Sequence, residues 1–376
     1  MKVAIVVNSD KIDGGSYTYE RNILYLINKI ERKSGIEFVI FNCKKNFKTK
    51  IEEIFAFFRS TILGYAILKS LSLNISSFEK KLIKKDFNLI YYVSPNTKAL
   101  GIKMLPIITT VWDMGHRDLP QFPETGLGGN FELREYFLKK TVIKSFRIIC
   151  DSEITKNNIS KIYGVDESRI LALGLPLNID KEILDNKSIF QNEKNARYFL
   201  YLANFWKHKN HLVLIQAFKI FLNYYTDTKL LFVGSDKGNL DSICEQIERL
   251  GIEEYVEIIG YVNESDKYKY LFNSVAILMP TFLGPTNYPI YEGILMGKKV
   301  IASNIHSKSS IQESDSQICF LNPLEPDDWA REMVKARAQI FNLGIRKSLM
   351  ESEIGNKAGL FLDFLNTVKI SLMSKC

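Results

Sequence analysis

Apolar residues in this chain fall into two textures that alternate. Short continuous runs occur at Lys2 to Val7, Leu89 to Val93, Ile107 to Val111 and Arg147 to Cys150. More follow at Tyr198 to Leu202, Leu230 to Val233, Tyr255 to Ile259, Val275 to Met279, Lys299 to Ala302 and Ile318 to Leu321. Runs of this length, closed by turn residues, predict strands buried on both faces of a parallel sheet. Glu37 to Phe41 and Ile170 to Leu173 complete the set. Between the runs, apolar residues recur at helical spacing, as in Ile23, Leu26, Ile27 and Ile30. The same spacing predicts helices over 131–145, 212–224, 243–250, 264–272, 290–296, 327–342 and 345–372. Asp151 or Ser152 reads as the cap of a helix that ends at Gly164. The texture changes from Gly174 to Arg197, where Pro, Asn, Asp and Gln dominate, which predicts a linker. Strands alternate with helices on both sides of it. The pattern therefore predicts an α/β protein of two doubly wound domains facing each other across a cleft. Their expected bounds are 1–175 and 198–357, joined by 176–197, with a last helix over about 358–376 packing back on the first domain.

One stretch carries a different texture. A basic entry at Lys44, Lys45, Lys48 and Lys50 leads into an apolar and aromatic segment at helical spacing (Ile54, Phe55, Phe58, Ile62, Tyr65, Leu68), followed by Lys80, Lys81, Lys84 and Lys85. Such a helix suits an anionic membrane surface, and it equally suits a helix packed on the domain core with solvated lysines. Charge sharpens the picture. Residues 1–85 hold sixteen Lys or Arg against eight Asp or Glu, an excess of eight, which equals the net charge of the whole chain. The basic excess belongs to the first domain and implies an acidic partner there. No uncharged apolar run reaches the length of a membrane span, and the apolar core at the amino terminus is too short for a signal peptide. Five cysteines, odd in number and without CxxC spacing, argue against a disulfide framework or a zinc site and for a reducing cytoplasm.

Candidate chemistry sits in loops at strand carboxyl ends, where open α/β sheets bind ligands. After the first strand come Gly14 and Gly15, without the GxGxxG spacing of a dinucleotide site. Asp113, His116, Arg117 and Asp118 follow the strand at 107–111. The loop 203–211 carries Lys207, His208, Lys209 and His211, and Gly234 opens the next. The most organised stretch is 276–303: a strand, a loop with Gly284, Pro285, Asn287 and Pro289, a short helix bearing Glu292, then a strand. Lys209 and the 284–288 backbone can supply the fixed charge and N–H donors that a diphosphate needs. Glu292 can accept from paired sugar hydroxyls. Solvated lysines and a glutamate capping its own helix would leave the same residues. The combination of basic loop, Gly/Pro loop and helix-borne glutamate favours nucleotide binding.

These residues carry a resemblance over nearly the whole chain. PTFLGPTNYPIYEGILMGKKVIAS, YLANFWKHKNHLVLIQAF, LLFVGSDKG and VEIIGYVNESDKYKYL resemble the retaining glycosyltransferases of family 4, of bacterial surface-polysaccharide type. IICDSEITKNNISKIYGV, PIITTVWDMGHRDLPQFPE and the GGS of 14–16 match more weakly. The resemblance implies the GT-B fold of two Rossmann-like domains, with the acceptor on the first and the nucleotide sugar on the second. It implies transfer of a hexose from a nucleotide diphosphate sugar to a lipid-linked or oligosaccharide acceptor with retained anomeric configuration. The family has two glutamates with seven residues between them; Glu292 matches the second, and Gly284 stands at the first. Glu292 is then expected at the donor ribose, and the lost sugar contact passes to the backbone of Thr286, Asn287 and Tyr288. Lys209 matches the family lysine, while Asn204 stands where an arginine is common. The expected catalytic set is His116, Lys209 and Glu292. Gly15, Asn204, Lys207, His208, Gly234, Gly284, Thr286, Asn287 and Tyr288 are expected to bind the donor.

No cofactor is expected, and no metal, because the chain has no DxD stretch and lysine can neutralise the diphosphate. A nucleotide-sugar donor and an anionic membrane surface are the expected partners, with no nucleic acid. The expected setting is the cytoplasmic face of the membrane, as a peripheral protein. Two alternatives fit the same fold: a sugar-nucleotide epimerase, which lacks a clear acidic set here, and a non-catalytic nucleotide-sugar-binding subunit, which Gly284 suggests and retained Lys209 and Glu292 oppose.

Overall fold

The computed structural model describes residues 1–10, 14–43, 75–126, 130–186, 189–190, 197–284, 286–305, 317–339 and 344–374. The apolar and aromatic segment that carries Ile54 to Leu68, and its basic entry, lie outside the described residues. The chain divides into two units. Unit 1 comprises Met1–Arg117, Gly128–Pro176 and Gly355–Cys376, and unit 2 comprises Asp118–Leu127 and Leu177–Ile354.

Unit 1 is built on a six-stranded sheet in which every pairing is parallel. Its strands are β1 (Lys2–Val7), β2 (Glu37–Asn42), β3 (Leu89–Tyr92), β4 (Ile107–Val111), β5 (Arg147–Cys150) and β6 (Ile170–Ala172), in the order β2-β1-β3-β4-β5-β6. Val3 to Val7, all of β3 and all of β4 are buried, as continuous apolar runs require, whereas edge strand β2 leaves Ile40 exposed. Helix Gly15–Ser34 turns Tyr19, Ile23, Leu26, Ile27 and Ile30 inward and stops at Gly35. Helix Glu153–Tyr163 starts where Ser152 accepts the N–H of Thr155 and ends at left-handed Gly164. From the last helix, Lys347–Met373, unit 1 takes the residues from Gly355 onward. Phe361, Leu365 and Val368 are buried there, Phe361 lies 6.1 Å from Tyr91 between ring centres, and Arg147 donates to Ser371. Burying a phenylalanine stabilises by about 1.5–3 kcal/mol, so this helix end is part of the unit's core.

Unit 2 has a second parallel sheet of six strands: β7 (Tyr198–Leu202), β8 (Lys229–Val233), β9 (Val256–Gly260), β10 (Ala276–Met279), β11 (Lys299–Ser303) and β12 (Ile318–Leu321). The order is β12-β11-β10-β7-β8-β9. The chain runs outward from β7 to β9, then returns to the other flank of β7 to lay down β10. The winding therefore reverses between β7 and β10, and the loops leaving them open at the switch point where ligands bind in such sheets. Helix His211–Phe221 covers the sheet with Leu214, Ile215, Phe218 and Phe221.

Two boundaries differ from the sequence reading. Leu177, Ile179 and Ile189 are buried, helix Lys181–Asp185 forms between them, and the stretch from Leu177 belongs to unit 2 instead of standing as a free linker. Apolar residues spaced among polar ones were enough to anchor it. Asp118–Leu127, expected in the first domain, also belongs to unit 2.

Candidate functional site

The loop after β7 is tied down on three sides. Asn204 accepts the N–H of Ser235 through Oδ1 at 2.9 Å, and the N–H of Phe205 reaches the Ser235 carbonyl at 2.9 Å. Asn204 is thus a brace to the loop after β8. Gly234 permits that approach, because a Cβ there would sit 2.0 Å from the Ala203 carbonyl oxygen. Lys207, exposed, begins a single turn of 3-10 helix that ends at Lys209. Asn210 closes the turn in the left-handed region (φ 55°), which asparagine tolerates, and donates to the carbonyls of Pro280 and Pro323. The Lys209 carbonyl accepts from the Tyr201 hydroxyl at 2.6 Å. The His208 carbonyl accepts from the N–H of Phe282 at 2.9 Å and the hydroxyl of Thr281 at 3.2 Å. The loops after β7 and β10 are therefore one bonded assembly.

At its centre, Lys209 Nζ donates to Asn287 Oδ1 at 3.0 Å, and Asn287 Nδ2 donates to the Gly284 carbonyl at 2.9 Å. Gly284 has φ +86°, a conformation strained for any L side chain. Glycine at this position is thus required by the path of the loop, and a glutamate could not occupy this backbone without strain. Thr286 is half-buried and Tyr288 buried, at the start of helix Tyr288–Leu295. Asn287 makes no side-chain cap to that helix.

Glu292 lies one turn into the same helix and is 3 % exposed. Its Oε1 accepts from Lys267 Nζ at 2.7 Å and from the Tyr268 hydroxyl at 3.1 Å, and Lys267 also pairs with Glu264 at 3.1 Å. Burial pushes the Lys267 pKa down, and the two carboxylates more than offset it, so the ammonium is held charged. His211, grouped with the basic loop by sequence, is a different kind of residue. It is fully buried among the rings of Tyr201, Phe205 and Phe232, at 4.6, 5.2 and 5.1 Å between centres. Burial, with the charges of Lys209 and His208, pulls its pKa down to about 3, so it is neutral and part of the core.

The remaining candidates belong to unit 1. Gly15 opens helix Gly15–Ser34 and is exposed. His116 is 1 % exposed, with Nε2 3.1 Å from Glu135 Oε2 and the ring 5.5 Å from Phe131. Arg117 grips both oxygens of Glu135, and Tyr163 donates to Oε2 at 2.9 Å. Arg117 first, then the other donors, hold the Glu135 pKa down to about 2 against burial. Burial lowers the pKa of His116, and Glu135 only partly opposes it. Sequence reasoning placed His116 in an open ligand loop; it is a buried ring oriented by Glu135, and its Nδ1 has no hydrogen-bond partner among the described residues.

Sequence reasoning missed Glu20, Glu124, Glu135 and Lys267. Glu20 had a signal, since it lies beside Tyr19 on the buried face of an apolar helix. Its carboxylate accepts the N–H groups of Asn8 and Ser9 and the Ser94 hydroxyl, tying the ends of β1 and β3 together. The others act through partners distant in sequence. Among the described residues, no three His, Cys, Asp or Glu side chains gather as a metal site.

Residues 182–337 match the family described as "Glycosyl transferases group 1". The O-antigen chain mannosyltransferase B of Escherichia coli is 21 % identical over 271 residues, spanning 67 % of this chain and 70 % of that protein. HepE of Anabaena, solved in complex with UDP and glucose, superposes with a TM-score of 0.59 at 15 % identity, covering all of both chains. The lipopolysaccharide outer core galactosyltransferase WaaB, in its apo form, gives 0.58 at 15 % identity over 99 % of each chain. The architecture is that of the GT-B fold, two parallel-sheet Rossmann-like domains. The matched domain and the glycosyltransferase relatives support a glycosyltransferase.

Proposed function

We propose that this protein is a retaining glycosyltransferase of family 4. It would move a hexose from a nucleoside diphosphate sugar to a lipid-linked or glycan acceptor in surface polysaccharide synthesis. The observation that carries the reading is the Lys209–Asn287–Gly284 chain of hydrogen bonds, set at the β7/β10 switch point inside the segment that matches the group 1 family. The O-antigen and outer core names of two similar proteins support the pathway class.

In this reading, Lys209 and the N–H groups opening helix Tyr288–Leu295 receive the negative charge that grows on the leaving diphosphate. The transition state is oxocarbenium-like, so stabilising the leaving group drives the step. Glu292, paired with Lys267, accepts from the ribose hydroxyls. Thr286, Asn287 and Tyr288 contribute backbone groups toward the sugar, where Gly284 leaves no side chain. His116, oriented by Glu135, is the residue of unit 1 that we assign to the acceptor. We assign no metal or cofactor to the step, since lysine and amide donors can do the neutralising. Among the described residues no helix is long and apolar enough to cross a membrane. The basic excess of residues 1–85 supports a peripheral position on an anionic membrane at its cytoplasmic face.

A thermal-shift screen over UDP-, GDP-, ADP- and CDP-sugars, followed by transfer assays with the stabilising donor, tests this. Ligand binding to the native state raises its melting temperature. Removing one preorganised donor to a developing anion costs about 10²–10³ in rate. Lys209→Ala is therefore expected to lower transfer by about that factor with the fold intact. Normal turnover in both Lys209→Ala and Glu292→Ala would sink the assignment. Retention is read from the anomeric proton of the product.

A further inference from the structure

Asp118–Leu127 lies in the sequence among the strands of unit 1, yet it is counted with unit 2. The segment braces itself. Thr125 Oγ1 donates to the carbonyls of Leu119 and Phe122, and the N–H of Gly126 reaches the Phe122 carbonyl at 2.9 Å. A Cβ on Gly126 would lie 1.8 Å from the Pro120 carbonyl oxygen, so the loop closes only on glycine. Two side chains then reach out. Glu124 Oε1 accepts both the backbone N–H of His208 at 2.8 Å and its ring Nδ1 at 2.6 Å. Phe122 stacks on Phe282 at 5.7 Å and 26°, and meets the His208 ring edge-on at 6.4 Å. One segment thus grips the loop after β7 at His208 and the loop after β10 at Phe282. Those are the loops that carry Lys209 and Asn287.

We infer that Phe122 and Glu124 form a clamp that aims Lys209 at the donor diphosphate, with Glu124 the positioning residue. The inference rests on the donor-site reading above. The turn Lys207–Lys209 has no side-chain cap of its own, and Glu124 binds it from outside. Burial opposes charge on Glu124, and the two bonds from His208 outweigh it, so the carboxylate lies below its ordinary pKa and stays ionised. An ionised acceptor holding one backbone and one ring proton fixes both the turn and the His208 rotamer. Lysine ends in a flexible point charge, so the aim of Lys209 depends on a fixed backbone beneath it. Both clamp residues lie outside the segment that matches the family, so the donor site is completed by residues the matched domain does not contain.

The test uses the full chain and two measurements. The first is a double-mutant cycle on chemical unfolding with Glu124→Ala, His208→Ala and the double variant. The second is calorimetric titration of UDP and of GDP into wild type, Glu124→Ala, Glu124→Gln, Lys209→Ala and Glu124→Ala/Lys209→Ala. The clamp predicts a favourable Glu124–His208 coupling. It predicts nucleoside diphosphate binding about tenfold weaker in Glu124→Ala, as for one lost charge-assisted bond. Glu124→Gln, which still accepts the His208 N–H, is expected to recover most of that loss. Glu124→Ala should add nothing on the Lys209→Ala background. Unchanged binding in Glu124→Ala, or losses that add with Lys209→Ala, overturns the clamp. Absent coupling with normal wild-type binding overturns it too. Intact coupling in a protein that binds neither UDP nor GDP overturns the donor reading, and the clamp's role with it.

Discussion

His211 gives a prediction whose size follows from the structure. The imidazole is fully buried against three aromatic rings, and neither nitrogen has a hydrogen-bond partner among the described residues. Its folded pKa is about 3, against an ordinary 6.5. A pKa depressed on folding means that the native state resists the proton and the unfolded chain accepts it. The stability tied to this residue is therefore full above about pH 6.5 and drains away as pH falls toward 3. Linkage over that window gives a loss of about 2 kcal/mol between about pH 7 and pH 5. Other groups titrate in the same range, so the measurement is a difference: urea unfolding of wild type and His211→Met across that window. The two stabilities should diverge toward acid by about 2 kcal/mol, with wild type losing more. Parallel curves would refute the reasoning, since the proton would then be finding His211 in the folded state. The effect bears on function because helix His211–Phe221 begins immediately after the turn that carries Lys209.

Further outcomes are expected. Lys267→Met leaves the Glu292 carboxylate buried without its cation, and losing one partner of a buried pair costs about 3–5 kcal/mol. Chemical denaturation should show that loss, and Lys267→Met with Glu292→Gln together should cost less than Lys267→Met alone. Gly284→Ala forces a side chain into a left-handed backbone, worth about 1–2 kcal/mol, and Gly284→Glu should weaken donor binding instead of restoring a sugar contact. Transfer activity should survive excess EDTA; activity that disappears with EDTA and returns with Mg²⁺ or Mn²⁺ would reassign diphosphate neutralisation to a cation. Co-sedimentation with anionic vesicles should weaken as salt rises, and equal binding to neutral vesicles would remove the electrostatic part of the membrane reading.

The sequence alone determined what depends on neighbours along the chain. Continuous apolar runs marked β1, β3 and β4 because a doubly covered parallel strand needs every residue buried. Ser152 and Gly164 marked the ends of a helix because capping is local chemistry. The loops at 203–211 and 280–289 were visible as carboxyl-end loops once the strands before them were known. Tertiary structure decided whatever depends on distance through space. Strand order was one such thing: β10 returns beside β7, and only that return makes two loops, some seventy residues apart, a single site. The state of ionisable residues was another. His211 and His208 look alike in the motif KHKNH, yet one is a neutral core ring and the other an anchored one. The partners that hold the candidate site together, Lys267 on Glu292 and Glu124 on His208, sit 25 and 84 residues from the groups they hold. No periodicity or spacing reports such a pairing, because the energy that selects it exists only after the sheet has brought the loops together.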